Sequence, residues 1–232
     1  MSESNFLRYV IIANGDAPSA ETIRHWLRPG DRLICADGGC RIALRHGLRP
    51  DYAIGDFDSL SEADFQQLQQ DGVDIQRHPP QKNETDLELA LQLAISQCAS
   101  EIVVLGALGG RLDHEMANLM LLAMPGLNQI PVIIAGEKLE IHSLDARQQP
   151  ATLHLRGHVG DTVSLIPYGG DALGIMTDGL QYPLRHETLS VGPARGGSAA
   201  QADNMSDNIP SDNALEKKVF MFYENREITD KR

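Results

Sequence analysis

Tyr52-Ala53-Ile54-Gly55-Asp56-Phe57-Asp58-Ser59 sets a short apolar run directly before two aspartates spaced two apart. The run Tyr52 to Ile54 reads as a buried strand, and Gly55 to Ser59 as the loop at its carboxyl end. If the chain stays extended there, residues i and i+2 point to one side, so Asp56 and Asp58 face together. Two carboxylates on one side repel unless a cation lies between them. Mg²⁺ fits, because it takes oxygen ligands and is usually held by one or two carboxylates plus substrate phosphates. Gly, Asp and Ser are also ordinary turn residues, so a plain turn is the competing reading.

The same alternation of strand and loop repeats on both sides of this stretch. Tyr9 to Ala13 is a β-branched run followed by the turn Asn14-Gly15-Asp16. Ser19 caps a helix carrying Ile23, Trp26 and Leu27, which stops before Pro29-Gly30. Leu33 to Ala36 is a strand ending in Asp37-Gly38-Gly39, and a short helix with Ile42 and Ala43 runs to Gly47. Past the acidic loop, Ser61 opens a helix through Phe65 and Leu68 to Gly72, and Val73 to Arg77 is a strand. Thr85-Asp86-Leu87-Glu88 has the form of a capping box, with Leu87, Leu91, Ala94, Ile95 and Cys98 at helical spacing behind it. Glu101 to Leu105 is a strand, Gly106 to His114 a glycine-rich loop, and a helix with Met116, Leu119, Met120 and Ala123 comes next. Pro131 to Ala135 is the last strand of this series.

Strand, loop and helix in repetition predict a parallel sheet between helical layers, a three-layer α/β domain over residues 1–136. Its strand-to-helix loops all emerge at the carboxyl edge, where open α/β sheets bind ligands. Asp37, Asp56, Asp58, Asp86 and Asp113 should therefore gather there, and this convergence favours the metal reading of the acidic loop.

After Gly136 the helical period vanishes. Short apolar runs alternate with glycine turns: Leu139 to His142, Thr152 to Leu155, Thr162 to Pro167, Leu173 to Thr177 and Thr188 to Val191. This predicts a small antiparallel β domain, sandwich or barrel, over residues 137–232. Residues 193–213 hold few large apolar side chains and are expected to be flexible; Val219 to Tyr223 reads as one more strand.

The formal net charge of -12 argues against a nucleic-acid or anionic-membrane binder. A phosphorylated substrate remains open, since a metal can mediate between carboxylates and phosphates. The three cysteines, Cys35, Cys40 and Cys98, read as small core residues of a reduced protein. With no leader-like run and no membrane-spanning run, the expectation is a soluble cytoplasmic chain.

Glycine loops at helix starts offer free N–H groups to anions, which makes Asp37-Gly38-Gly39 and Gly106 to Gly110 candidates, though neither has P-loop or dinucleotide spacing. Arg111 suits bidentate phosphate binding, and Lys82 can act as a point charge on phosphate. Thr85 is sufficiently explained as a helix cap. Met116, Met120 and Met124 are expected to form a core stripe. Carboxylate-held Mg²⁺, anion sites and one or two cations together suggest phosphoryl or pyrophosphoryl transfer.

Four motifs in order, Asp37-Gly38-Gly39, Gly55 to Ser59, Lys82-Asn83-Glu84-Thr85-Asp86 and Gly109-Gly110-Arg111-Leu112-Asp113-His114, resemble those of thiamine pyrophosphokinases, as does Gly179-Leu180-Gln181-Tyr182-Pro183-Leu184. The resemblance implies an N-terminal α/β domain, a C-terminal β-sandwich and a homodimer with active sites between subunits. It also implies Mg²⁺-dependent transfer of the pyrophosphoryl group of ATP to the hydroxyl of thiamine, giving thiamine diphosphate and AMP. By motif, Asp56, Asp58 and Asp86 correspond to Mg²⁺ ligands and, with Arg111, to the catalytic set. Asp37, Gly38, Gly39, Lys82, Thr85 and Asp113 correspond to residues around the nucleotide phosphates. Asn83 stands where bacterial members often have Asp. After Leu189 the family shows a Ser-Asn pair that binds thiamine; Ser198 stands for half of it here, and the sole tryptophan, Trp26, lies in the first helix. Two other readings share these motifs: a diphosphokinase for another hydroxymethyl heterocycle such as a pterin, and a non-catalytic nucleotide-binding protein.

Overall fold

The computed structural model describes residues 7–146, 151–158, 160–192, 200–201 and 218–224. The chain divides into two compact units, with the boundary between Glu137 and Lys138.

In the first unit, five strand–helix pairs precede a sixth strand: β1 (Arg8–Ile12), α1 (Ala20–Trp26), β2 (Arg32–Ala36), α2 (Gly39–Arg45), β3 (Tyr52–Gly55), α3 (Glu62–Gln70), β4 (Asp74–Arg77), α4 (Asp86–Ser96), β5 (Glu101–Leu105), α5 (Leu112–Leu121) and β6 (Val132–Ala135). The strands lie in the order β4-β3-β2-β1-β5-β6, every neighbour parallel. Strands covered on both faces must be apolar throughout, not alternating. Ile11, Ile12, Ile34, Ile54, Ile102 and Leu105 are accordingly fully buried. Burying each such side chain contributes about 1.5–3 kcal/mol.

The helices start where the sequence marks them. Ser19, Ser61 and Thr85 are N-caps whose hydroxyls accept the N–H of Thr22, Asp64 and Glu88, each at 3.1 Å. At Thr85 only half of the capping box forms, because the Glu88 carboxylate accepts from Gln92. Strand order reverses between β1 and β5, so the chain leaves the sheet in opposite directions from these two neighbours and a crevice opens at their carboxyl ends.

Two expectations fail in this unit. The methionine stripe of α5 is not core: Met116 is 55% exposed, Met120 50% and Leu112 70%, and no residue of the helix is buried. Helical spacing showed one apolar face but not what covers it. Cys35 and Cys40 are buried, whereas Cys98 is exposed in the left-handed conformation (φ +58) just past α4.

The second unit contains β7 (Leu139–Asp145), β8 (Thr162–Pro167), β9 (Ala172–Met176), β10 (Arg185–Leu189), β11 (Ala200–Gln201) and β12 (Lys218–Glu224). β11, β8, β12 and β7 are neighbours in that order, all antiparallel, while β9 and β10 form an antiparallel pair of their own. Leu165 of β8, with Leu184 and Leu189, packs against Ala172 and Ile175 of β9, which joins the two sheets. The run Thr152 to Leu155 forms no strand; Leu153 and Leu155 pack against Val163 instead. Within the tract 193–213, Gln201 and Ala200 pair with β8, and the rest lies outside the described residues, as does Ser198. No helix among the described residues is long and apolar enough to cross a membrane.

Candidate active site

Past β3 the backbone does not stay extended. Gly55 has φ +154, and Phe57 takes the left-handed conformation at φ +61, costly for a residue with a Cβ. A Cβ on Gly55 would lie 3.1 Å from Asp37 Cα, so that position admits only glycine without a shift. The Phe57 ring is buried (5% exposed) against Phe65, their centroids 5.6 Å apart. With that ring as anchor, the flanking carboxylates remain at the surface, and the Asp58 N–H donates to Asp56 Oδ1 at 3.1 Å. Strand alternation therefore does not bring the two aspartates together; a turn does. One turn therefore carries both carboxylates.

Asp37 reaches the turn from the end of β2, also left-handed at φ +45. Its carboxylate accepts from Asn14 Nδ2 at 3.3 Å and from Ser59 Oγ at 3.3 Å. Carboxylate oxygens of Asp37, Asp56 and Asp58 all lie within 4.8 Å of one another. Burial pushes the Asp37 carboxyl above its usual range; the Gly38 N–H opposes this, and the charges of Asp86, Asp56 and Asp58 push further upward. Three hard oxygen donors converging with uncompensated repulsion fit a divalent cation such as Mg²⁺.

Asp86, in the first turn of α4, faces the same cleft but lies outside this trio. Its Oδ1 accepts from Lys82 Nζ at 2.5 Å, so Lys82 and Asp86 enter the site as an ion pair. The trio that can share one ion thus includes Asp37, placed by sequence among the phosphate contacts, alongside Asp56 and Asp58.

The two glycine motifs differ in use. A Cβ on Gly38 would strike the Asn14 amide, and one on Gly39 would lie 2.0 Å from the Ile12 carbonyl. These glycines let β1 approach the start of α2, and neither lines the cleft. The second motif does. Gly106 O and Leu108 O accept from the N–H groups of Gly15 and Asp16 at 2.7 and 2.8 Å. From α5, Asn118 Nδ2 donates to Ala107 O at 2.7 Å, and Glu115 Oε1 accepts from Gly109 N at 2.9 Å. The Gly109 N–H is therefore already engaged. Gly110 (φ +92) has no atom within 4 Å of where a Cβ would stand, so its backbone is open to a ligand.

Arg111 and Asp113 flank that opening as an exposed pair, with Nη2 to Oδ2 at 2.5 Å and Nε to Oδ1 at 3.1 Å. Their hydrogen bond raises the guanidinium and holds the carboxyl below its usual range. Asp37, Asp56, Lys82, Thr85, Asp86, Gly109, Gly110, Arg111 and Asp113 line one cleft of about 710 Å³, of a size for a nucleotide.

Sequence reasoning missed the residues that hold this site in shape: Asn14, Ser59, Glu115, Asn118 and Arg77. Arg77, at the end of β4, donates Nε to Asp56 O at 3.3 Å while its guanidinium lies over the Phe65 ring. Each stands within a few residues of a motif in sequence or space, but only the fold shows what each one reaches.

The chain matches the family model described as Thiamin pyrophosphokinase, catalytic domain, over residues 23–134, and that described as Thiamin pyrophosphokinase, vitamin B1 binding domain, over residues 142–198. It is 26% identical over 159 residues to thiamine pyrophosphokinase of Bacillus subtilis, covering 68% of this chain and 73% of that one. Thiamine pyrophosphokinase 3 of Oryza sativa is 29% identical over 191 residues, 73% and 70% of the two chains. The crystal structure of thiamin pyrophosphokinase from Geobacillus thermodenitrificans aligns with a TM-score of 0.76 at 26% identity, covering 95% of this chain and 99% of that one. The two models lie on either side of the unit boundary and together span most of the sequence. This chain belongs to the thiamin pyrophosphokinase family.

Proposed function

We propose that this protein transfers the pyrophosphoryl group of ATP to the hydroxyl of thiamine, giving thiamine diphosphate and AMP, with Mg²⁺ at Asp37, Asp56 and Asp58. The observation that carries this reading is that Asp37 and Asp56 of the acidic trio line the same cleft as Lys82, Gly110 and Arg111, with Asp58 beside them. The thiamine oxygen forms a bond to the β-phosphorus, the bond from that phosphorus to the α,β-bridging oxygen breaks, and the hydroxyl proton passes to solvent. Bound Mg²⁺ neutralises phosphate oxygens and supplies Lewis-acid polarisation at the β-phosphorus. Lys82, turned into the cleft by Asp86, offers a point charge to the phosphates. Arg111 exchanges its carboxylate partner, Asp113, for a phosphate of similar fork geometry.

Residues 138–232 are assigned the acceptor, on the match of residues 142–198 to the vitamin B1 binding model. A homodimer is the proposed working form, and the exposed apolar face of α5 (Leu112, Met116, Met120) supports it. Three free cysteines fit a reducing, cytoplasmic location. Incubation with ATP, Mg²⁺ and thiamine, with separation of the products, tests the reaction. Thiamine-dependent AMP and thiamine diphosphate in equal amounts are expected; ADP with thiamine monophosphate would overturn it.

A further inference from the structure

Asn14, Gly15 and Asp16 come directly after β1, beside the point where strand order reverses, and they touch both halves of the cleft. On one side, Asn14 Nδ2 donates to Asp37 Oδ2 at 3.3 Å. The same amide lies flat on Gly38, where a Cβ would be 2.1 Å from Asn14 Oδ1 and 2.6 Å from Nδ2. On the other side, the Gly15 and Asp16 N–H groups hold the Gly106 and Leu108 carbonyls. That seam is also too close for side chains: a Cβ on Gly15 would be 2.4 Å from Leu108 O, and one on Gly109 would be 2.0 Å from Asp16 Cγ. A solvent-exposed turn needs none of these fits.

We propose that Asn14 is a positioning residue for the divalent-cation site, holding the Asp37 carboxylate toward Asp56 and Asp58 and fixing that trio relative to the glycine-rich loop. This rests on the cation reading of the trio. Asp37 stands among like charges from Asp86, Asp56 and Asp58, which drive its carboxylate away from them. Two side-chain donors oppose that drift, Asn14 and Ser59. Ser59 belongs to the acidic turn and moves with it. Asn14 follows a different strand, β1, and its segment grips the glycine-rich loop, so one tripeptide sets the distance between cation and anion sites. The residue type matters: aspartate at this position would lose the donor and add a fourth carboxylate.

The test is calorimetric titration of Mg²⁺ into the full chain with α,β-methylene-ATP present, for the unaltered protein, Asn14→Leu and Asn14→Ala. Leucine keeps the approximate shape over Gly38 and removes the donor; alanine serves if the larger side chain disturbs folding, and circular dichroism melts report the fold of each. Loss of a partner that orients a metal ligand costs roughly ten- to a hundredfold in affinity. The expected result is Mg²⁺ affinity weakened by about tenfold in both variants, with the Mg²⁺ concentration for half-maximal turnover rising by the same factor and the KM for thiamine unchanged. Unchanged Mg²⁺ affinity in folded variants would overturn the proposal and leave Asn14 a packing residue. Failure of the unaltered chain to bind Mg²⁺ at all would instead overturn the cation reading beneath it, and that result is read before any substitution is made.

Discussion

The ring of Phe57 packs against that of Phe65 at 5.6 Å, tilted by 57°, and so fastens an acidic turn to the top of α3. Phe57 is the only residue between Asp56 and Asp58, and it points inward while they remain outside. Phe57→Ala keeps the strained backbone and loses the anchor. It should destabilise the protein by about 3 kcal/mol in urea denaturation and weaken Mg²⁺ binding as well. Phe57→Leu should recover most of both.

Asp37 is a partly buried member of a cluster of like charges, and burial and its neighbours both raise its carboxyl, so its negative charge opposes folding when no cation is bound. Asp37→Asn should raise the melting temperature in chelator by a few degrees and abolish the stabilisation that Mg²⁺ gives the unaltered chain. Equal Mg²⁺ stabilisation in both proteins would remove Asp37 from the cation site.

Glu137, just past β6, accepts from Ser19 N at 2.6 Å, Ser19 Oγ at 3.0 Å and Thr22 Oγ1 at 2.7 Å. Burial alone would raise its carboxyl; the hydrogen bonds from Thr22 and Ser19 outweigh it and leave the net shift downward. A carboxyl depressed in the folded state stabilises above its unfolded value of 4.5, and that contribution is lost as pH falls through the lower folded value. Because the group is largely solvated, the effect is modest. Glu137→Gln should cost about 1 kcal/mol at pH 7, with the difference from the unaltered protein vanishing in acid. Melts at several pH values between neutral and strongly acidic check it.

Arg111 and Asp113 are paired but exposed, so their contact contributes little to folding. Asp113→Asn should leave the melting temperature within about 1 °C. Arg111→Lys replaces a fork with a point charge and should lower kcat/KM for ATP by about tenfold, with stability unchanged. Steady-state kinetics beside a melt separates the two.

The strand–helix alternation was legible because parallel strands buried on both faces are apolar runs, and because Ser19, Ser61 and Thr85 cap helices through local hydrogen bonds. The loops that carry the site were legible for the same reason: each comes after a strand. What sequence did not show was conformation inside those loops. The left-handed Phe57 breaks the alternation that an extended chain would give Asp56 and Asp58. Gly38 and Gly39 look like an anion cradle, yet their missing side chains make room for Asn14 and Ile12. Periodicity identified the apolar face of α5 but could not say that this unit leaves it uncovered. Thr152 to Leu155 has strand composition without a pairing partner among the described residues.

The most direct test measures AMP formation from ATP and thiamine against Mg²⁺ concentration, for the unaltered protein and for Asp58→Asn. Asp58 is exposed, makes its contacts within the turn, and can be changed without touching the core. The account predicts saturable Mg²⁺ dependence in the first and a rate lower by about a hundredfold or more in the second, with both folded. A near-normal rate in Asp58→Asn, with the same Mg²⁺ dependence, would contradict it.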